Sequence, residues 1–248
     1  MGEGEPLLIL HGLFGSLDNW ISLGRQYGTF RKTYLIDQRN HGKSPHTEQH
    51  GYPEMAEDLL TFMDQQEISS AAWLGHSMGG KTVMEAALQA PDRCSALIVA
   101  DMAPVVYRRH HDEIITALEA VPLNEIQNRA EAEAILTPLL PDVGVRQFLL
   151  KNLDRTTEGK YVWKMNLPVL KKEYDFIVKE IPRERKYSGP TLFIKGGNSN
   201  YIKDAYLPEM QELFPHMELI TLPGIGHWVH AEAPDDFFQI TSNFLKGI

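Results

Sequence analysis

The sequence predicts an α/β fold, a mostly parallel, doubly wound sheet with an inserted helical cap. Short β-rich apolar runs alternate with helical patterns along most of the chain, which is the signature of βα units around one sheet. Those runs are apolar nearly throughout rather than at every second position, which marks strands covered on both faces. One stretch, 104–187, breaks the alternation with several helical patterns, turn punctuation and no strong strand.

The elements follow in order. Met1-Gly-Glu-Gly-Glu-Pro6 leads at once into a strand at Leu7–Leu10; an antiparallel hairpin often precedes such a strand, so the chain is expected to lack that edge or to be shortened. A second strand is expected at Thr33–Asp37. A helix follows at about Pro53–Gln66, with Leu59, Leu60, Phe62 and Met63 inward. Ala71–Gly75 reads as a strand, Gly79–Gln89 as a helix and Ala96–Asp101 as a strand. Within the insertion, Asn128 with Glu131 three residues on, and Asp142 before Val-Gly-Val-Arg-Gln-Phe-Leu-Leu, are helix starts. Lys160–Met165 alternates like a short strand or extended arm, and Leu167–Ile181 reads as one amphipathic helix. Strands at Pro190–Lys195 and Glu218–Leu222 and helices at Ala205–Leu213 and Asp235–Lys246 complete the pattern. The expected organisation is a core of residues 1–103 and 188–248, with residues 104–187 lying over its active edge as a lid.

With 248 residues and 43% hydrophobic content the chain can bury a substantial core. Lys and Arg number 24 against 33 Asp and Glu, a net charge of −9, which disfavours nucleic acid and anionic membranes as partners. The single cysteine, Cys94, excludes an intrachain disulfide, and no targeting pattern opens the chain, so a cytoplasmic location is expected. Apolar runs such as Pro6–Leu10 fall far short of the roughly 20 residues that span a bilayer.

The chemistry begins at Ala71-Ala-Trp-Leu-Gly-His-Ser-Met-Gly-Gly80, which reads as strand, G-x-S-x-G, then helix. Gly75 and Gly79 flank Ser77 because so sharp a strand-to-helix reversal leaves no room for side chains beside a nucleophile. The alternative is an ordinary glycine-rich βα turn. A serine hydroxyl is a poor nucleophile at neutral pH and needs an imidazole to take its proton. His227 is the best candidate of ten histidines, on the Gly-rich loop after the last strand; His230 is its rival. His76 should point away from the site and serve packing. His11, His41, His46, His50, His110, His111 and His216 read as turn, loop or surface residues.

An oxyanion needs two amides. Met78, next after the nucleophile, supplies one; Leu13, in His11-Gly-Leu-Phe-Gly15 after the first strand, is the choice for the other, with Phe14 as the alternative. The same glycines also suit a simple tight turn.

Taken together, HG-x-F-G at His11–Gly15, D-x-R-x-H-G-x-S at Asp37–Ser44, G-H-S-M-G-G at Gly75–Gly80 and G-H-x-x-x-x-E-x-P at Gly226–Pro234 resemble the α/β-hydrolase superfamily over nearly the whole chain. More closely, the chain is similar to the small bacterial YbfF-type esterases and their mitochondrial relatives, sharing HGLFGS, DQRNHG, GHSMGGK and GGNS. The resemblance implies carboxylesterase or thioesterase activity on short- to medium-chain acyl groups, including acyl-CoA thioesters, under a helical cap. No metal or organic cofactor is implied.

Most members of the superfamily carry their acid after the penultimate strand as G-x-x-D, but Gly196-Gly-Asn-Ser199 places Ser199 there, and a neutral hydroxyl supplies no charge. Asp101 fills the role. It ends the strand 24 residues after Ser77, and that strand is expected between the nucleophile strand and the one ending near Gly196. The resemblance also implies an acid on this earlier strand. Asp101 could instead merely cap the turn into the insertion. Asp204 is the runner-up and reads more naturally as a helix N-cap, while Asp37 organises the Arg39-Asn-His41 loop. Gly196–Ser199 then reads as a close-packed turn beneath the His227 loop.

Phe14, Trp163, Met165 and Tyr107, with Phe148 and Leu149, are candidates to line an acyl pocket, against the plainer reading that they form the cap's own core. Lys171, Lys172, Lys179, Arg183, Arg185 and Lys186 give the cap a positive tone that would suit CoA phosphates or simply solvation. The same residues also suit carbon–carbon bond hydrolysis, perhydrolysis, lyase chemistry, or a hydrolase-like binding protein. The intact Ser77, His227 and Asp101 set favours an enzyme over a binder.

Overall fold

A computed structural model describes residues 1–248. Six parallel strands form one sheet: β1 (Pro6–Leu10), β2 (Lys32–Ile36), β3 (Ala71–His76), β4 (Cys94–Ala100), β7 (Thr191–Gly196) and β8 (Met217–Leu222), in the order β2-β1-β3-β4-β7-β8. All six expected strands are present. Between β4 and β7 the chain adds a two-stranded hairpin, β5 (Leu153–Arg155) with β6 (Tyr161–Trp163), and five helices.

Alternate strand residues feed two apolar layers. Leu8, Leu10, Trp73, Leu97, Val99 and Phe193 face α2 (Tyr52–Gln65), α3 (Met78–Gln89) and the 104–187 segment. Leu7, Ile9, Leu74, Ile98 and Ile194 face α1 (Ile21–Tyr27) and α11 (Pro234–Lys246). Both faces of the central strands are therefore dry, as their continuous apolarity requires. The outermost strand β8 differs: Glu218 and Thr221 are exposed, because an edge strand packs less of itself.

Two helices were not legible as such. α1 is only seven residues long and contains Gly24, which lowers its helical signal, although Trp20, Leu23, Gly24 and Tyr27 share a buried helical face. Gly24 is needed for close packing, since a Cβ there would press to 3.0 Å from Leu35. The four-residue helix α10 (Val229–Glu232) is too short to show a period. In the insertion, Asn128 and Asp142 accept hydrogen bonds from the amides of Glu131 and Val145 and cap α5 (Arg129–Leu136) and α6 (Val143–Leu150). The remaining insertion helices are α4 (Asp112–Glu119), α7 (Leu167–Lys172) and α8 (Tyr174–Ile177). The single helix expected over Leu167–Ile181 is thus two, broken at Glu173. The insertion has no separate core: Leu118, Leu149, Trp163, Met165 and Tyr174 belong to the same apolar cluster as α2 and α3.

Register places the chemistry. Leu10 pairs with Gly75, His76 with Ala100, and Ala100 with Ile194, so the segments following β1, β3, β4 and β7 leave the sheet side by side at its carboxyl edge. Strand order reverses between β1 and β3, where open α/β sheets hold their ligands.

Candidate active site

Ser77 stands between β3 and α3 with φ 54° and ψ −117°, a conformation that non-glycine residues rarely adopt. The turn is as tight as the glycines imply, because a Cβ on Gly75 would lie 2.1 Å from the Gly79 carbonyl oxygen. Phe14 and Asp101 also have positive φ, 58° and 49°. Three of the five non-glycine residues with positive φ thus stand where β1, β3 and β4 leave the sheet.

The loop after β8 carries His227 over this edge. Its Nε2 lies 3.0 Å from Ser77 Oγ and its Nδ1 lies 2.7 Å from Asp101 Oδ2. Asp101 is fully buried directly after β4; its Oδ1 accepts from the Gly196 amide at 3.0 Å and its Oδ2 from the Ser199 hydroxyl. The turn Gly196–Ser199 packs closely under the His227 loop, as a Cβ on Gly196 would lie 2.0 Å from Gly226 O. Ser199 therefore occupies the usual acid position and donates to the acid's carboxylate, a contact the sequence reasoning missed. Asp204 is solvent-exposed and lies 3.9 Å from Lys195; its residue opens a short 3₁₀ turn before α9 (Leu207–Leu213) rather than capping that helix. Asp37 accepts from the amides of Leu17 and Lys43, holding the two loops together.

The two amide candidates separate cleanly. The Phe14 amide donates to His41 Nε2 at 3.2 Å, which removes the alternative donor, whereas the Leu13 amide meets no protein acceptor. Met78 opens α3, where an N–H has no intrahelical partner. The Phe14 carbonyl is held by Asn152 Nδ2 at 2.6 Å, so the insertion reaches this loop.

His11, His41 and His50 lie in loops as expected, but buried rather than at the surface. His11 donates Nδ1–H to Gly12 O and accepts the Gln38 amide, and His41 bridges Arg39 O to Phe14 in the same neutral manner. Burial pushes His11 down to about 4 and His41 down to about 3, so both are rigid neutral struts at pH 7. His76, expected to point away, instead lines the cavity and donates to His227 O at 3.0 Å, steadying the loop; His230 stacks on Trp20 with centroids 4.2 Å apart and bonds neither Ser77 nor Asp101. Tyr201, also missed, lies face to face with His227 at 3.8 Å and 15°. Its position five residues past β7, in a turn without periodicity, gave no signal.

A cavity of about 330 Å³ opens at Ser77 and is lined by Phe14, Ile114, Val145, Phe148, Leu149 and Trp228 among others. On the other side, a void of about 20 Å³ is walled by Met78, Met102, Tyr107, Tyr174 and Tyr201. Phe14, Tyr107, Phe148 and Leu149 therefore reach the site. Trp163 and Met165 do not: Trp163 is interior, with its indole N–H on Leu118 O at 3.3 Å, and Met165 is equally buried, because each turns into the shared core. Of the cap cations, Lys171, Lys172 and Arg183 pair with Glu119, Glu173 and Glu209, and none of the six lines the cavity.

Burial raises the Asp101 carboxyl to about 6, against the opposing hydrogen bonds from Ser199 and Gly196, and lowers the His227 imidazole to about 3. At pH 7 the pair is carboxylate and neutral imidazole, ready to accept one proton. Acidification then loads a proton onto the pair near pH 6, removing the negative charge beside the ring. kcat/KM is expected to fall tenfold per unit below about pH 6; a plateau extending to pH 4 would contradict this electrostatics.

Comparison with known proteins gives the family. A family model described as alpha/beta hydrolase fold matches residues 5–135. The chain is 42% identical to Esterase YbfF of Escherichia coli over 247 residues, covering 98% of this chain and 94% of that one. It is 39% identical to the mouse sn-1-specific diacylglycerol lipase ABHD11, covering 96% and 80% respectively. Among solved structures, one titled Marine microorganism esterase superposes with a TM-score of 0.96 at 44% identity, covering 98% of this chain and 96% of that one. No helix is long and apolar enough to cross a membrane. With its sheet, its strand-turn-helix serine and these relatives, the chain belongs to the α/β-hydrolase family.

Proposed function

We propose that this hydrolase is a serine carboxylic-ester hydrolase acting on short- to medium-chain acyl esters through an acyl-enzyme on Ser77. The observation that carries the reading is the unbroken line Asp101 Oδ2, His227 Nδ1, His227 Nε2, Ser77 Oγ, with contacts of 2.7 and 3.0 Å. Ser77 Oγ attacks the acyl carbon while His227 Nε2 takes its proton, and Asp101 holds the ring and balances the imidazolium. The carbonyl oxygen becomes an oxyanion received by the Leu13 and Met78 amides; losing one such donor costs about 3–4 kcal/mol. His227 then returns the proton to the departing alcohol. Water, deprotonated by the same imidazole, releases the acid.

In this proposal residues 104–187 form the cap, and Phe14, Phe148 and Leu149 receive the acyl ester's apolar part. A volume of about 330 Å³ lies at the small end for ligand sites, which favours modest chains. Lys151 is the one cation of this segment that lines the cavity, and three of the other cap cations are taken up in ion pairs, which places esters ahead of thioesters. A cytoplasmic location accords with the lone, buried Cys94.

A fluorophosphonate should label Ser77 in the folded protein, and p-nitrophenyl acyl esters should give a burst followed by turnover. Rates across acetyl to dodecanoyl esters, beside matching CoA thioesters, should peak at short to medium esters. No labelling of folded protein would remove the proposal.

A further inference from the structure

Lys81 lies on α3, one turn beyond Ser77, and is wholly buried. No carboxylate lies within ion-pair distance of it. Its Nζ donates instead to backbone carbonyls from both ends of the insertion: Val105 O at 2.8 Å on the entering stem, and Lys179 O and Val178 O, the latter at 3.5 Å, on the leaving stem. The ammonium also sits over the rings of Tyr107 at 4.8 Å and Tyr52 at 5.5 Å.

The two stems hold each other through only a few bonds. Tyr107 N–H donates to Val178 O and Ile181 N–H to Pro104 O, both at 2.8 Å, while Tyr52 O–H donates to Ile177 O at 2.6 Å. From the clamp a chain of contacts runs to the chemistry: Tyr107 O–H donates to Tyr201 O at 2.6 Å, and the Tyr201 ring lies on His227.

We propose that Lys81 is a positioning residue whose ammonium ties both stems of the 104–187 insertion to the helix behind Ser77, fixing Tyr107 and Tyr201 against His227. This rests on the assignment of Ser77 and His227 as the reacting pair. Three carbonyl dipoles converging on one nitrogen need three N–H donors. A neutral amine has two, and turns a lone pair toward the third oxygen.

The clamp is therefore sensitive to charge. Burial lowers the Lys81 ammonium to about 7, with Glu180 of the leaving stem and Glu209 of α9 pulling weakly upward. The other ionisable groups around it are Tyr52 of α2 and Tyr107 of the entering stem, both held neutral by burial, and Glu85 on its own helix, which bonds Gln89. Raising the pH through 7 removes the Lys81 proton and loosens the stems.

The test compares wild type, Lys81→Met and Lys81→Arg by amide hydrogen exchange, corrected for intrinsic rates, and by ester turnover from pH 6 to 9. The Tyr107 and Ile181 amides should exchange about tenfold faster in Lys81→Met, with β3 and β4 unchanged and kcat/KM about tenfold lower. The wild type should approach that behaviour above pH 7, while Lys81→Arg, which stays charged, should not. Wild-type exchange and turnover in Lys81→Met overturn the proposal. Should that variant fail to fold, identical pH dependence of the stem amides in wild type and Lys81→Arg overturns it. Stem exchange that responds as stated in a protein inert toward every ester leaves the clamp standing and removes the Ser77 assignment.

Discussion

Ser77→Ala should lower kcat/KM by about a million-fold, the scale of losing the nucleophile of a serine enzyme whose other groups act only through it. The fold should survive. The elbow is enforced by the close approach of Gly75 to Gly79 and by the start of α3, and alanine asks for no more room than serine. Fluorophosphonate labelling should vanish with turnover, and thermal unfolding should stay within a few degrees of wild type. Retained turnover in a purified, unlabelled variant would place the nucleophile elsewhere.

Asp101→Asn should cost about 10⁴-fold in kcat, on the precedent of the equivalent change in serine-protease triads. The reason lies in donors and acceptors. The buried carboxylate accepts from Gly196 N–H, from the Ser199 hydroxyl and from His227 Nδ1–H. An asparagine that keeps its oxygen on Gly196 turns its NH₂ toward His227, so Nδ1 must accept and Nε2 carries the proton. In that tautomer the imidazole cannot take the Ser77 proton. Asp204→Asn, at an exposed position beside Lys195, should leave kcat within twofold. Kinetics on the two purified variants decide the matter: near-normal turnover for Asp101→Asn would remove Asp101 from the mechanism.

Much of this was legible in one dimension because the patterns are local. Six expected strands are present, and the four inner ones, β1, β3, β4 and β7, were the clearest, since a buried parallel strand must be apolar on both faces and that requirement is written in consecutive residues. Ser77 was legible because the elbow demands glycine on both sides within five residues. Asn128 and Asp142 were legible for the same reason, as a cap bonds an amide three residues away.

What failed to show in the sequence depends on separations of tens to hundreds of residues. Trp163 and Met165 have pocket-like chemistry, yet the path of the insertion turns them into the core. His11 and His41 are loop residues whose burial is invisible in the sequence, because the first two βα loops close on each other and bury them as neutral struts.

The sequence by itself determined the α/β architecture and named Ser77 as the candidate nucleophile, His227 as its candidate base and Ser199 as the residue standing at the usual acid position. Only the tertiary structure decided how Asp101 is held, that Leu13 rather than Phe14 has a free amide, and that Tyr201 covers His227. The physical reason is that a side chain's type is fixed where it stands in the chain, whereas its hydrogen-bond partners and its burial are fixed by whatever the sheet register brings beside it.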